Sequence, residues 1–274
     1  MKNLVFLLIA AYIAVGCGGG GSSEYDRYAQ NLKITDSNKN DIVKSYKSFE
    51  KYEYSSFYRD IIDLRAINFS SIGSFNCVSG NYSVDDIREI DASNKEYIVT
   101  FNNCKDSADN LKDGKLSIIK SLNNASFQVI DENGYKTTKS GIVREYGKDS
   151  TISHECTATA CYLNIINLSE YSSAQTFGTL RVKNFFLGTN YEESKFKSAI
   201  LFGKLYVINQ NRWVDLKHKD IEEFSVTHCP DSGEIKFYGS DGTRMYITYS
   251  SGSADIKVKE STTHYDSCTN LPTY

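Results

Sequence analysis

Two short groups of histidine and cysteine offer the clearest metal-binding chemistry in this chain. His154, Cys156 and Cys161 lie close together, and His228 is followed directly by Cys229. Imidazole and thiolate groups at such spacing are typical of structural zinc sites. In an oxidising compartment, however, disulfide formation competes with thiolate binding to metal. We therefore expect Cys156 and Cys161 to close a small disulfide loop, and we expect neither a metal nor a cofactor.

Six of the seven cysteines lie in the body of the chain, at Cys77, Cys104, Cys156, Cys161, Cys229 and Cys268. An even number in an exported chain indicates three disulfides, although six cysteines allow many pairings. We favour pairs of sequence neighbours, because each such pair encloses one compact unit.

An acidic loop offers a second metal chemistry. Asp106, Asp109, Asn110 and Asp113 supply oxygen atoms of the kind that calcium prefers. Leu111, however, occupies a position where a calcium loop needs a ligand. The sequence therefore favours a solvated turn over a calcium site.

Motifs for catalysis are weak. No serine lies between glycines in the pattern of a nucleophile turn. His154-Glu155 lacks the second histidine of a zinc protease, and Gly203-Lys204 is followed by Leu205 rather than by the Ser or Thr of a phosphate loop. An enzyme is the least favoured class.

The single tryptophan, Trp213, follows the turn-like residues Asn209 to Arg212. A tryptophan beside a turn either anchors the core or forms an exposed platform for a ligand. The sequence favours a core anchor and leaves the platform open.

The first 23 residues are typical of an export signal. Lys2 is followed by an apolar run from Leu4 to Val15, which is too short to span a bilayer. The residues Ala14-Val15-Gly16-Cys17 resemble the lipobox of bacterial lipoproteins. That resemblance implies cleavage before Cys17, lipidation of Cys17, and, because Gly18 rather than Asp follows, location in the outer membrane. A plain secretory signal and an uncleaved anchor remain as alternatives.

Composition narrows the class further. The formal net charge of −3 with mixed signs argues against a nucleic-acid surface. Twenty Tyr and fourteen Phe favour strands, in which aromatic side chains pack on a pleated face. With only two prolines, the turns must use Gly, Asn, Asp and Ser.

The hydrophobic pattern changes near residue 70. From Asn40 to Phe69 apolar residues recur at spacings of three and four, which predicts one or two helices. Short alternating runs follow, with hairpins predicted at Asn133-Gly134 and Asp241-Gly242 and a turn at Asp113-Gly114. We expect a mostly β fold with an antiparallel sheet, as a meander, a sandwich or a curved open sheet, and an N-terminal helical segment.

Four regions follow from these patterns. Residues 1–16 form the signal peptide, and residues 17–38 the lipidated cysteine and a flexible tether. Residues 39–70 form a helical segment that packs on the sheet, and residues 71–274 a disulfide-stapled β domain. Two similar halves are an open alternative, because Cys77 to Cys104 and Cys229 to Cys268 each bracket a Ser-Gly turn and a hairpin.

The expected function is that of a lipid-anchored cell-envelope protein with a non-enzymatic binding, adhesion or structural role. Its partners would be the membrane, through the anchor, and an envelope protein, a glycan or an apolar ligand, but no nucleic acid. A lipoprotein carrier or assembly factor with an apolar concavity is the alternative, and a secreted hydrolase is less favoured.

Overall fold

The computed structural model describes residues 30–65, 67, 69–122, 126–156, 161–192, 195–222, 230 and 232–274. Helix α1 spans Lys39–Arg65. The strands are β1 Gly73–Asn76, β2 Ser79–Asp91, β3 Asn94–Lys105, β4 Leu111–Ser121, β5 Phe127–Asp131, β6 Lys136–Lys139, β7 Ile142–Tyr146, β8 Thr151–Cys156, β9 Cys161–Gln175, β10 Gly178–Glu192, β11 Lys195–Val207, β12 Arg212–Glu222, β13 Ser232–Tyr238, β14 Arg244–Ser250, β15 Ser253–Val258 and β16 Ser261–Tyr265.

All sixteen strands belong to one antiparallel sheet whose neighbours follow the order of the chain. Strands β5 and β6 lie end to end along β4, and β7 and β8 lie end to end along β9. The sheet is therefore a continuous meander, which confirms the predicted class: mostly β, antiparallel, with an N-terminal helical segment.

Helix α1 lies on one face of this sheet, which we call the inner face. At its start, the Lys39 ammonium donates to Thr263 of β16 at 2.9 Å. Beyond its end, Phe69 packs against Tyr97 of β3. The path from β3 to β16 crosses eleven strand spacings, roughly 53 Å at about 4.8 Å each. The 27-residue helix is about 40 Å long, so the helix and the segment that leads to Phe69 together cross most of the sheet.

The inner core forms where aromatic residues of the helix meet the strands. No glycine or proline interrupts Lys39–Arg65, and Ile42, Phe49 and Phe57 are fully buried at the predicted helical spacing. The Phe49 ring contacts Phe185 of β10 edge-on, with 5.1 Å between centroids. Such aromatic contacts add to the free energy of burying the rings. Within the part of the chain that the structure describes, no helix has both the length and the apolar character of a membrane span.

Residues 31–38, which the sequence assigned to the flexible tether, are part of the folded structure instead. Leu32 and Ile34 are buried, because this segment passes between β12 and the turn after β13. The Leu32 amide donates to the Trp213 carbonyl at 2.8 Å, and the Ser240 amide donates to the Leu32 carbonyl at 3.1 Å. Paired backbone and buried side chains fix this segment to the sheet.

Two predicted turns are wrong, and one is confirmed. Strands β5 and β6, on either side of Asn133-Gly134, both pair with β4 and not with each other. Gly114 lies inside β4 with a φ of +111°. A Cβ added to it would come within 2.9 Å of the Tyr135 Cα. The Asp241-Gly242 turn does join β13 and β14 as a hairpin.

The cysteines staple this sheet. Cys77 and Cys104 form a disulfide, as the neighbour pairing predicted, and it ties the segment between β1 and β2 to β3. Cys156 and Cys268 are each disulfide-bonded. In backbone register Cys156 lies opposite Cys161. The side chain of Cys161 and the whole of Cys229 fall outside the described residues, so these two pairings stay predictions.

A β-bulge in β10 decides which phenylalanine faces outward. Asn184 has a φ of 46°, and the register between β10 and β11 shifts between Lys183 and Phe186. The shift turns Phe185 inward and Phe186 outward. Gly203 of β11 lies against this bulge, where an added Cβ would come within 2.7 Å of the Phe185 Cα. Only glycine fits so close to the partner backbone.

Candidate functional site

A buried ion pair joins the helix to the inner face of the sheet. The Arg144 guanidinium of β7 donates to the Glu53 carboxylate at 3.0 Å and to the Ser56 hydroxyl at 3.1 Å. The Tyr171 hydroxyl donates to the same carboxylate, and the Gln175 amide donates to its other oxygen at 2.7 Å. Glu53 is fully buried and Arg144 nearly so. Every charge in this cluster is therefore paired and hydrogen-bonded, as burial requires.

The electrostatics of this cluster favour its charged pair. Burial alone would lower the pKa of Arg144, but Glu53, Tyr171 and Asp60 together outweigh it and raise that pKa. Burial, and then Glu53, hold the pKa of Tyr171 well above its ordinary value. The tyrosine thus stays a neutral donor, and the cluster acts as a lock between helix and sheet.

A second acidic group lies farther along the helix. The Asp60 carboxylate accepts from the Tyr146 hydroxyl at 2.8 Å and from the Thr137 hydroxyl at 3.2 Å. Asp60 borders a cavity of about 20 Å³ that Asp131 also lines, and burial raises the pKa of Asp131. This cavity has room for about one water molecule. The interior here is too small for an acyl chain or a sugar.

The acidic loop holds a lysine. The Lys112 ammonium, nearly buried, donates to Asp106 at 2.7 Å, and the backbone N–H of Asn110 donates to the other Asp106 oxygen at 3.0 Å. Burial pushes the pKa of Asp106 up, but these contacts outweigh it and lower that pKa to about 2. The expected turn is present, and its acids have protein partners: Asp106 pairs with Lys112 and Asp109 with Lys105.

Of the histidine and cysteine groups, the structure describes the side chains of His154 and Cys156, and Cys156 is disulfide-bonded. His154 of β8 contacts the side chain of Asn164 on the neighbouring β9. In the described residues, no group of three or more His, Cys, Asp or Glu side chains is arranged to hold a metal ion. His228 falls outside those residues.

The outer face of strands β10 to β14 has a different character. Its cationic side chains are Arg181, Lys183, Lys204, Lys217, Lys236 and Arg244, and its aromatic side chains are Phe186, Phe202, Tyr206, Trp213, Tyr238 and Tyr246. Successive outward positions of each strand supply them, because side chains alternate between the two faces. We call this surface the aromatic–cationic face.

Cations lie over aromatic rings across this face. The Lys183 ammonium lies 5.4 Å from the Trp213 ring centroid, and the Arg181 guanidinium lies 5.4 Å from that of Tyr206. Lys217 and Arg244 both approach the Tyr238 ring, at 5.9 and 5.5 Å. Such contacts hold cations and rings side by side at the surface.

The acidic groups on this face are fewer than the cationic ones. Asp215 pairs with Lys204 at 3.1 Å and Glu234 with Lys236 at 3.1 Å, and Glu170 of the neighbouring β9 pairs with Lys183 at 2.5 Å. Among the described side chains, six cations thus meet three acids, although the whole chain carries a net charge of −3. Charge separation between faces explains why net charge alone did not predict a cationic surface.

One end of the aromatic–cationic face is apolar. Phe186 and Phe202 stack with 4.9 Å between centroids, and Phe202 is 43% exposed. Ile200, two residues earlier on β11, is 60% exposed. Exposed apolar groups that lie together with a polar rim are typical of an interaction surface.

The other end of the aromatic–cationic face lies next to residues 30–32, which precede the helix. Trp213 lines a shallow depression together with Gln30, Gln210, Asn211 and Arg212. Its ring lies edge-on to Tyr206 at 5.2 Å. The tryptophan is half-buried on the outer face, so the core anchor favoured from sequence is wrong.

Comparison of this chain with protein-family models, curated proteins and solved structures finds no match. The candidate site therefore has to be judged on its own geometry. Cys17, the residue on which the sequence placed the lipid anchor, falls outside the described residues.

Sequence reasoning did not find the aromatic–cationic face. A signal was present, because Lys or Arg alternates with apolar residues in β10 and β11, and Lys236-Phe237-Tyr238 and Arg244-Met245-Tyr246 repeat one pattern. Only the register of the strands brings those separate positions together.

Proposed function

We propose that this chain is a lipid-anchored protein of the bacterial cell envelope that acts by binding, not by catalysis, and that it binds an anionic partner through its aromatic–cationic face. The observation that carries the proposal is the joining of six cations and six aromatic rings on one surface of a chain that is acidic as a whole. Charge complementarity steers an anionic partner to such a surface.

The interior supports binding at the outer face rather than transport inside the sheet. A carrier needs an open apolar concavity. Here the inner face is occupied by α1, whose rings Phe49 and Phe57 contact the strands directly. The bordering cavity of about 20 Å³ would hold no lipid chain.

The contacts of the interior acids also favour a non-enzymatic role. Glu53 and Asp60 each accept hydrogen bonds from strand side chains and are buried where the helix packs on the sheet. A substrate would have to displace the helix to reach them. Their geometry is that of a structural lock.

The lipid anchor rests on the residues Ala14-Val15-Gly16-Cys17 and on the glycine and serine residues that follow them. The resemblance of this segment to a lipobox, together with an even number of cysteines in the rest of the chain, supports export and anchoring.

A titration with a soluble polyanion tests the binding face. Trp213 is the only tryptophan and lies in the face, so its fluorescence reports on ligands there. Dextran sulfate should change the emission in a saturable way at low salt, and added salt should weaken the response.

Charge reversal supplies the control. Lys217→Glu with Arg244→Glu should abolish the response, whereas Lys148→Glu, in the exposed turn between β7 and β8, should leave it intact. An equal response in all three proteins would contradict the proposal.

A further inference from the structure

Asn31, close to the start of the described residues, is hydrogen-bonded to the aromatic–cationic face. The Asn31 side-chain amide donates to Asp215 at 2.6 Å, and Asp215 in turn pairs with Lys204 of the same face. Three residues later, Ile34 is fully buried. The chain therefore passes from the outer side of the sheet to the inner side between these two residues.

This geometry restricts where an anchor at Cys17 can be. Thirteen residues separate Cys17 from Gln30, and a chain of that length spans at most about 45 Å. The face extends from Trp213 to Lys217 along β12, roughly 13 Å at the rise of a strand. An anchored lipid thus lies within one tether length of the whole face.

The chemistry of the face matches that of a membrane interface. Trp and Tyr, each with an apolar ring and a polar edge, are favoured at the headgroup level. Lys and Arg near an anionic bilayer add attraction that salt screens. The exposed Phe202 and Ile200 offer apolar groups that can enter the headgroup region.

We propose that the aromatic–cationic face docks on the anionic phospholipid surface of the membrane that holds the anchor. This inference rests on the proposed function, because it names the partner of the same face. Docking would orient the sheet with β10 to β14 against the lipid and the opposite side of the meander away from it.

Quenching of Trp213 in reconstituted vesicles tests this orientation. The full chain, purified from membranes in detergent, is placed in vesicles whose acyl chains carry bromine near the carbonyl end. In equimolar phosphatidylglycerol and phosphatidylcholine the emission should be quenched and shifted to shorter wavelength. In phosphatidylcholine alone the quenching should be much weaker, and high salt should remove the difference.

Variants separate the face from the anchor. With Cys17→Ser, the full chain should still sediment with the anionic vesicles at low salt, and each surface cation removed should lower its partitioning about fivefold. Lys217→Glu and Phe202→Ser should each reduce both sedimentation and quenching, whereas Lys148→Glu should not. Urea unfolding of each variant confirms that it is folded.

Two results would overturn the inference. Equal quenching in the two vesicle types would show that the anchor alone positions Trp213. A strong response to dextran sulfate with no response to anionic vesicles would assign the face to a soluble or polysaccharide anion. The second result would leave the proposed binding of an anionic partner intact. No response to either dextran sulfate or anionic vesicles would contradict the proposed function as well.

Discussion

Replacing Arg144 should destabilise the protein more than any surface ion-pair change. In the wild-type pair the Arg144 side chain is 6% exposed and that of Glu53 is 0% exposed. Arg144→Met keeps the apolar volume but leaves the Glu53 carboxylate buried without its cation. Breaking such a pair from one side costs roughly 3–5 kcal/mol. That is a large share of the roughly 5–15 kcal/mol by which domains are typically stable.

The matched control is an exposed pair that joins β7, the strand of Arg144, to its neighbour β6. Lys136 and Glu145 are 2.7 Å apart, with side chains about half exposed. Lys136→Met should therefore cost only about 0–1 kcal/mol. Arg144→Met and Lys136→Met each remove the cation of an ion pair. The first pair is buried and the second is exposed.

Urea unfolding followed by Trp213 emission measures both costs. The midpoint should fall strongly for Arg144→Met and little for Lys136→Met, with unchanged slopes. In a double-mutant cycle, Glu53→Gln should cost much less in the Arg144→Met background than alone. A loss below about 1 kcal/mol for Arg144→Met would refute the assignment of this cluster as a lock between helix and sheet.

Three further predictions concern the anchor, the staple and the acidic loop. Cys17→Ser should move the protein from the membrane fraction to the soluble fraction after a high-salt wash, and retention would contradict lipidation. Joint replacement of Cys77 and Cys104 by serine should lower the free energy of unfolding by up to about 3.5 kcal/mol, as measured in urea, because the bond closes a 27-residue separation. Asp106→Asn should destabilise at neutral pH, and its difference from wild type in thermal melting should shrink as pH falls from about 4 towards 2, because the folded pKa of Asp106 lies below the unfolded one. A pH-independent difference would argue against the Lys112 contact.

The class of fold could be predicted because local signals agree with it. The helix has apolar residues at Ile42, Tyr46 and Phe49 with no glycine or proline among them, and all three are buried. The strands show alternating polarity, and short connections force them to be antiparallel. The pairing of Cys77 with Cys104 could be predicted because these cysteines are neighbours in sequence and enclose one compact unit.

Long-range register could not be predicted in the same way. Asn133-Gly134 has the residues of a hairpin turn, yet the strands on either side both pair with β4. The bulge at Asn184, which turns Phe186 outward, depends on Gly203 of the neighbouring strand. Turn residues describe local backbone preference, whereas pairing partners are decided by the whole sheet.

The two functional features were hidden for a related reason. Glu53 resembles a solvent-facing helix residue in sequence, and only its contact with Arg144, 91 residues later, shows that it is buried. The cations of the outer face are spread over β10 to β14 and are offset by acids elsewhere in the chain. Neither contact distance nor charge separation can be read from composition.

Lysine reactivity in intact envelopes tests the central claim most directly. An amine-reactive reagent is applied to isolated envelopes and to the detergent-purified protein, and modification at Lys183, Lys217, Lys136 and Lys148 is measured by mass spectrometry. The account predicts that Lys183 and Lys217, on the aromatic–cationic face, are protected in the envelope, while Lys136 and Lys148 react equally in both samples. Equal reactivity of all four lysines in the two samples would contradict a bound partner on this face.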